Sequence, residues 1–144
     1  MDDVPIPALL RAARRTYGSA IRAALAEVGC DDVPRNGPFV IGDVARGGTP
    51  LSGIIRELGV SKQAAGQLVD TLVLRGYLER SPDPDDRRRL TVTLTDRGRL
   101  AADASRRAVW TVDAELTARL GDECVTQARA VLLELIEIGD DRVG

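Results

Sequence analysis

Two short runs in this chain have the residue types to recognise another molecule. Arg87, Arg88 and Arg89 follow Asp85 and Asp86 in a stretch stiffened by Pro82 and Pro84, while Ser61, Lys62 and Gln63 open an apolar-periodic segment. A guanidinium on a narrow projecting loop suits a groove of high negative potential, such as the minor groove of A·T-rich DNA. Asp85 can orient it through a carboxylate–guanidinium pair. Gln63 and Gln67 lie four residues apart and share a helix face, and a glutamine amide can bond adenine N6 and N7 bidentately. Ala64 can meet a thymine methyl, Thr71 lies off the apolar stripe, and Lys62 is the only lysine in the chain. A helix starting at Ser61 also offers free backbone N–H groups to a phosphate. Each residue alone is equally well read as a solvated helix face, and the arginine run as a surface ion-pair cluster contributing about 0–1 kcal/mol. As a set, Ser61, Lys62, Gln63, Ala64, Gln67, Thr71, Asp85, Arg87 and Arg89 favour contact with duplex DNA.

Other chemistries find little support. The chain has no histidine and two cysteines, Cys30 and Cys124, that form no Cys-x-x-Cys. A zinc site would rest on two distant thiolates and carboxylates, so no metal and no cofactor is expected. Neither a Gly-x-Ser-x-Gly elbow nor a phosphate-binding glycine loop occurs, and an enzyme is not expected. Each cysteine reads as a small half-buried hydrophobe; a redox-sensing thiol would require an electropositive neighbourhood. Aromatic residues make up 3% of the chain. Tyr17, Phe39 and Trp110 are candidates to line a small-molecule pocket, with ordinary core packing as the alternative.

The elements that hold these residues follow from periodicity and punctuation. Pro7 opens a helix over residues 7–28, with Leu10, Ala13, Tyr17, Ala20, Ile21, Ala24 and Val28 on one stripe, stopped at Gly29. A turn-rich connector spans residues 31–38, and residues 39–46 read as a short helix ended by Gly47 and Gly48. Thr49 or Ser52 caps a further helix with Leu51, Ile54, Ile55 and Leu58 inward, and Gly59 makes the corner between crossing helices. Ser61 caps the second helix of that pair, with Ala65, Leu68, Val69, Leu72 and Val73 buried and Gly76 as its stop. Residues 77–80 and 90–94 read as two strands. In the second, Leu90, Val92 and Leu94 are expected inward, which turns Arg87 and Arg89 outward and leaves Arg88 inward or sideways. Thr95 caps a long helix, Gly121 interrupts it, and a last helix follows from Val125 to Ile138.

The chain is 144 residues long with a formal charge of −2. That charge is unevenly spread: residues 1–36 are neutral, residues 37–109 carry a net +3 and residues 110–144 a net −5. Phosphate attraction acts over a Debye length of roughly 10 Å, so the local excess governs. No secretory h-region follows the acidic start, and no apolar run is long enough to span a bilayer, so a cytoplasmic protein is expected. The flanking helices are too apolar to stand alone; packed between two copies they would form a symmetric dimer, and the alternative is that they pad a monomeric core.

The stretches LSGIIRELGVSKQAAGQLVDTLVLRGYLER and PDPDDRRRLTVTLTDRG, with the long helices on either side, resemble the MarR family (multiple antibiotic resistance regulators). The likeness runs over nearly the whole chain and is strongest from Leu51 to Gly98. It implies a mostly α fold with a small β-hairpin wing: a winged helix-turn-helix lobe over 37–98 within a single domain of residues 1–144, and a helical dimerisation region formed by 1–30 and 99–144. It also implies a homodimeric transcription regulator, commonly a repressor, that binds double-stranded DNA. The recognition helix would enter the major groove through Ser61, Lys62, Gln63, Ala64 and Gln67. The wing arginine of an Asp-x-Arg motif, here Asp85-Asp86-Arg87, would enter the minor groove. Many relatives are released by small phenolic ligands held between the dimer helices and the winged lobe. Relatives often carry Ser or Thr and Arg where this chain has Gly66 and Gln67, so their base preference does not transfer. A winged-helix protein–protein adaptor that never binds DNA is the alternative reading, with Arg87 to Arg89 paired to an acidic partner.

Overall fold

The computed structural model describes residues 3–47 and 59–144. Helix α1 covers Ile6–Glu27 and α2 covers Gly37–Gly47. Helix α3 covers Lys62–Leu74, strands β1 and β2 cover Leu78–Pro82 and Leu90–Leu94, and α4 and α5 cover Asp96–Leu120 and Asp122–Val143. The fold is that expected from the sequence: helices with a two-stranded antiparallel hairpin inserted between α3 and α4. The helix expected around Leu51 to Leu58 lies outside the described residues. None of the described helices is long and apolar enough to cross a membrane.

The chain forms two compact units, residues 1–109 and residues 110–144, with α4 running through the boundary. The core of the first unit is aliphatic, as the scarcity of aromatics dictates. Leu25 of α1, Val40 and Ile41 of α2, Val69 and Leu72 of α3, Val92 of β2 and Ala101 and Ala104 of α4 close around Tyr77 and Leu78. Burying such side chains stabilises by roughly 1.5–3 kcal/mol each for the larger ones.

Helix α3 ends at a left-handed Gly76, φ +80°. Its N–H donates to Val73 O at 3.0 Å, and the Tyr77 N–H reaches back to Leu72 O at 2.9 Å. This is a Schellman closure, whose glycine takes the left-handed geometry without a Cβ penalty. It throws Tyr77 straight into the core. Helix α1 closes in the same manner at Gly29, with the Cys30 N–H on Leu25 O at 2.8 Å, and so buries Cys30. The two chain reversals thus aim both residues at one place.

The hairpin pairs Leu78 with Leu94 at its base and Pro82 with Leu90 at its far end. The expected alternation along β2 holds for Val92, which is buried, and for Leu94, which packs against the core, but not for Leu90. Thr91 and Val92 are both buried, whereas Leu90 is 60% exposed. Leu90 sits at the distal end of the ribbon, paired with Pro82. A two-stranded ribbon twists strongly, so a period of two established at its base does not survive to its tip.

The second unit is a helical hairpin, the end of α4 and all of α5, bent at Gly121. An ion pair from Arg129 Nη2 to Asp113 Oδ2 at 2.9 Å ties its two helices. No residue of α5 is buried. Val131, Leu132, Leu133, Leu135, Ile136 and Ile138 all remain exposed.

Candidate nucleic-acid interface

Ser61 begins α3 in extended conformation, and its Oγ accepts the Ala64 N–H at 3.1 Å. That bond satisfies one of the orphan donors of the first turn; the N–H groups of Lys62 and Gln63 have no intrahelical acceptor. With Ala65, Val69 and Leu72 committed to the core, Lys62, Gln63, Ala64 and Gln67 are left exposed together on the opposite side. Thr71 is half-buried, and its hydroxyl donates to Gln67 O at 2.9 Å, a bond within the helix. Asp70, one turn before the helix end, forms an ion pair with Arg80 of β1. That pair is a direct contact between the wing and the helix.

The wing tip is built by carboxylates acting on backbone. Asp83 Oδ1 accepts the Asp85 N–H at 2.9 Å, and Asp86 Oδ1 accepts the Arg88 N–H at 3.1 Å. The Asp83 N–H meets Arg89 O at 2.8 Å, and the Arg89 N–H meets Asp86 O at 3.0 Å. These aspartates pin the turn as local Asx-type bonds do. The expected Asp85–Arg87 pair is not formed: among the described residues the ion pairs leave out Asp85, Arg87, Arg88 and Arg89. All three arginines are exposed, Arg88 included, because the tip lies clear of the core. The aspartates shape the loop, and the guanidiniums stay free.

The base of the wing carries a cluster that the sequence does not announce. The Tyr77 hydroxyl donates to Asp32 Oδ1, and Arg97 Nη2 donates to Asp32 Oδ1 at 2.8 Å and to the Tyr77 oxygen at 2.9 Å. The Arg97 guanidinium also stacks 4.5 Å from the Tyr77 ring centre. Arg75 donates to Asp32 O, and Arg97 Nη1 donates to Arg75 O at 3.2 Å. The hydrogen bond from Tyr77 holds the Asp32 carboxyl below its usual 3.8, with the Arg97 charge adding to it. Burial, then the bond to Asp32, pushes the Tyr77 hydroxyl well above its ordinary 10.0. The α1–α2 connector, the end of α3 and the start of α4 are thereby fastened to the wing root. Nothing in the local sequence links Asp32 to partners 45 and 65 residues away. The turn-rich connector is the sole hint.

Thr95 caps α4, its Oγ1 accepting the Gly98 N–H at 3.0 Å and donating to Gly76 O. Gly98 packs against the wing root so closely that a Cβ there would stand 2.0 Å from Tyr77 O.

A broad open groove of about 1760 Å³ lies within the first unit, between α1, the α1–α2 connector, α2, the end of β2 and α4. Tyr17 and Phe39 line it. Trp110 belongs to the second unit and is 73% exposed.

Residues 40–89 match the model of the MarR family. By structure the chain is similar to the reduced form of MarR from E. coli, with 22% identity, a TM-score of 0.70 and coverage of 92% of this chain and 96% of that one. It is similar also to a cysteine-to-serine mutant of the E. coli protein complexed with operator DNA, with 21% identity, a TM-score of 0.72 and coverage of 93% and 95%. A third likeness is to transcriptional regulator Tm0710 from Thermotoga maritima, at 24% identity and a TM-score of 0.59 over 96% of each chain. No curated protein matches in sequence. The family segment and the chain-long fold agree.

Proposed function

We propose that this MarR-family chain is a sequence-specific double-stranded DNA-binding transcription regulator, a repressor that acts as a homodimer on a pseudo-palindromic operator. The observation that carries the reading is the joint exposure of two recognition features on one lobe. One is the α3 face of Lys62, Gln63, Ala64 and Gln67 at a helix start with open N–H groups; the other is an arginine tip with no internal carboxylate partner. In this reading Ser61 and Lys62 hold phosphate, and Gln63 and Gln67 face base edges in the major groove. Thr71, whose hydroxyl is engaged within the helix, offers its methyl group at the margin of that face. Arg87 enters the minor groove, while Arg89 holds the flanking backbone. Asp85 borders Arg87 at the tip, where an aspartate carboxylate can orient a guanidinium once DNA has ordered both. In a two-fold assembly, two such helices meet successive major grooves roughly 34–36 Å apart. That assembly would be made by α1, α4 and α5, whose apolar faces are largely exposed in one copy. The groove beside Tyr17 and Phe39 is the place for an effector whose binding releases DNA, with Trp110 kept as a further candidate to line it.

The test is footprinting on the DNA flanking the chain's own gene, followed by anisotropy titration over a range of salt. The expected result is a protected palindrome and a linear fall of log affinity with log salt. Capture of a protein partner, with no protection and no salt dependence on any duplex, would replace this reading with that of an adaptor.

A further inference from the structure

Strands β1 and β2 carry the arginine tip far from the core that supports them. From Tyr77 to Asp83 the ribbon runs roughly 20 Å at about 3.3 Å per residue, so a tilt of about 10° at its root swings its end by about 3.5 Å. The minor groove is about 6 Å wide, and an error of that size takes a guanidinium off its target while α3 still sits in the major groove. The angle must be fixed at the root.

Both ends of the hairpin meet at Tyr77. Its N–H donates to Leu72 O of α3 at 2.9 Å, and its carbonyl accepts the Thr95 N–H at 3.2 Å. These bonds fix where the ribbon starts, but backbone contacts at one residue leave it free to tilt about that residue. The Tyr77 side chain supplies the third point. Its ring is buried beneath the Arg97 guanidinium, and its hydroxyl donates to Asp32 Oδ1, which also accepts Arg97 Nη2 at 2.8 Å. Arg97 Nη2 closes the triangle on the Tyr77 oxygen at 2.9 Å, and Arg75, just past the end of α3, donates to Asp32 O. The other tie between wing and α3, the Asp70–Arg80 ion pair, is a single contact between exposed side chains and holds weakly. A closed network around a buried ring is the stiffer of the two.

We propose that Asp32 is a positioning residue for DNA recognition: through the Tyr77 hydroxyl and the Arg97 guanidinium it sets the angle at which the wing delivers Arg87 to the minor groove. The consequence for DNA rests on the regulator reading, whereas the control of the wing angle does not.

The test is a double-mutant cycle on the full chain, read by anisotropy on the footprinted operator, with Asp32→Ala and Tyr77→Phe as the two variants of the clasp. Tyr77→Phe keeps the buried ring and removes only the hydroxyl, so it carries the cycle should Asp32→Ala fail to fold. Each is expected to weaken operator binding. In either background the cost of Arg87→Ala should shrink to less than about twofold, because a misdirected wing has no contact left to lose. Gln63→Ala, on the α3 face, should cost the same factor in the parent and in both backgrounds. An undiminished cost of Arg87→Ala would overturn the proposal. So would an equal shrinkage for Gln63→Ala, since the whole lobe would then have been disturbed. A second measurement needs no DNA: residual dipolar couplings of the backbone amides of β1 and β2 report the orientation of the hairpin relative to α3. In Tyr77→Phe the hairpin couplings are expected to shrink while those within α3 hold, and unchanged couplings would also overturn the proposal. If the parent bound no duplex, the regulator reading would fall, and the couplings would still decide whether the clasp sets the wing.

Discussion

At the tip of the wing, Arg87 tests whether a single side chain reads DNA or merely decorates a loop. The turn around it is set by Asp83 and Asp86 acting on backbone N–H groups, so the Arg87 guanidinium contributes nothing visible to the fold. Arg87→Ala is therefore expected to weaken operator binding by about 1–3 kcal/mol, with no change in melting temperature. Anisotropy titration beside a thermal scan decides it: undiminished affinity removes the wing from recognition. Asp32 makes the opposite case, a residue remote from the proposed DNA face whose loss acts through the scaffold. Its carboxyl is depressed below 3.8 in the folded chain, first by the Tyr77 hydroxyl. A depressed carboxyl stabilises fully above its unfolded value and loses that contribution as pH falls through the folded one. Asp32→Asn is thus expected to melt below the parent at pH 7, with the gap beginning to narrow only beneath 3.8 and closing as the pH falls through the lower value of the folded carboxyl; a gap that stays constant down to acid unfolding would show that the Asp32 charge is not what stabilises the cluster. The contrast explains what the residues alone reveal. Arg87 to Arg89 are contiguous and stand out in one line of sequence, whereas the Asp32–Tyr77–Arg97 cluster is assembled by two Schellman turns that bring distant segments together.

At the scale of elements, the winged lobe depends on one close approach. Gly98 lets the first turn of α4 pack on the Tyr77 carbonyl, where a Cβ would meet the oxygen at 2.0 Å. No rotamer relieves a clash between a Cβ and a backbone atom, so α4 or the wing root must move. Gly98→Ala is expected to destabilise by at least the roughly 1–3 kcal/mol typical of overpacking, and denaturant titration measures it. A change below about 0.5 kcal/mol would mean that α4 is free to slide on the hairpin. Helix limits were largely legible because glycine and proline mark them: α1 and α3 each end two residues before their glycine, Gly29 and Gly76, and Thr95 caps α4 through Gly98. Strand parity was legible only in part. The alternation Leu90, Val92, Leu94 presumes a flat strand; it holds for Val92 and Leu94 at the base, but the ribbon's twist leaves Leu90 in solvent and Thr91 covered at its far end.

Across the whole molecule, charge and apolar surface are divided between the two units. The arginine-rich groove and the wing belong to residues 1–109, and the net −5 of residues 110–144 accompanies a helical hairpin whose α5 buries nothing. An amphipathic helix with nearly all of its apolar residues exposed is a poor resting state, since covering one leucine or isoleucine gains roughly 1.5–3 kcal/mol. A second copy offers an equal face, and two-fold pairing is the closed way to satisfy both. On the proposed dimer, Ile136→Asp places a carboxylate at the seam and is expected to shift the sedimenting species from two chains to one. Because α5 buries nothing within a single copy, the variant should keep its helical content. The consequence for DNA separates the dimer from a decorative contact. Once one lobe is bound, the other binds as an intramolecular partner, an advantage of about 10²–10⁴. A monomeric variant with intact Arg87 and Gln63 should therefore lose that factor on the full palindrome, yet match the parent on an isolated half-site. Equal losses on both DNAs would mean that the substitution had damaged the lobe itself, and an unchanged sedimentation profile would take α5 out of the interface.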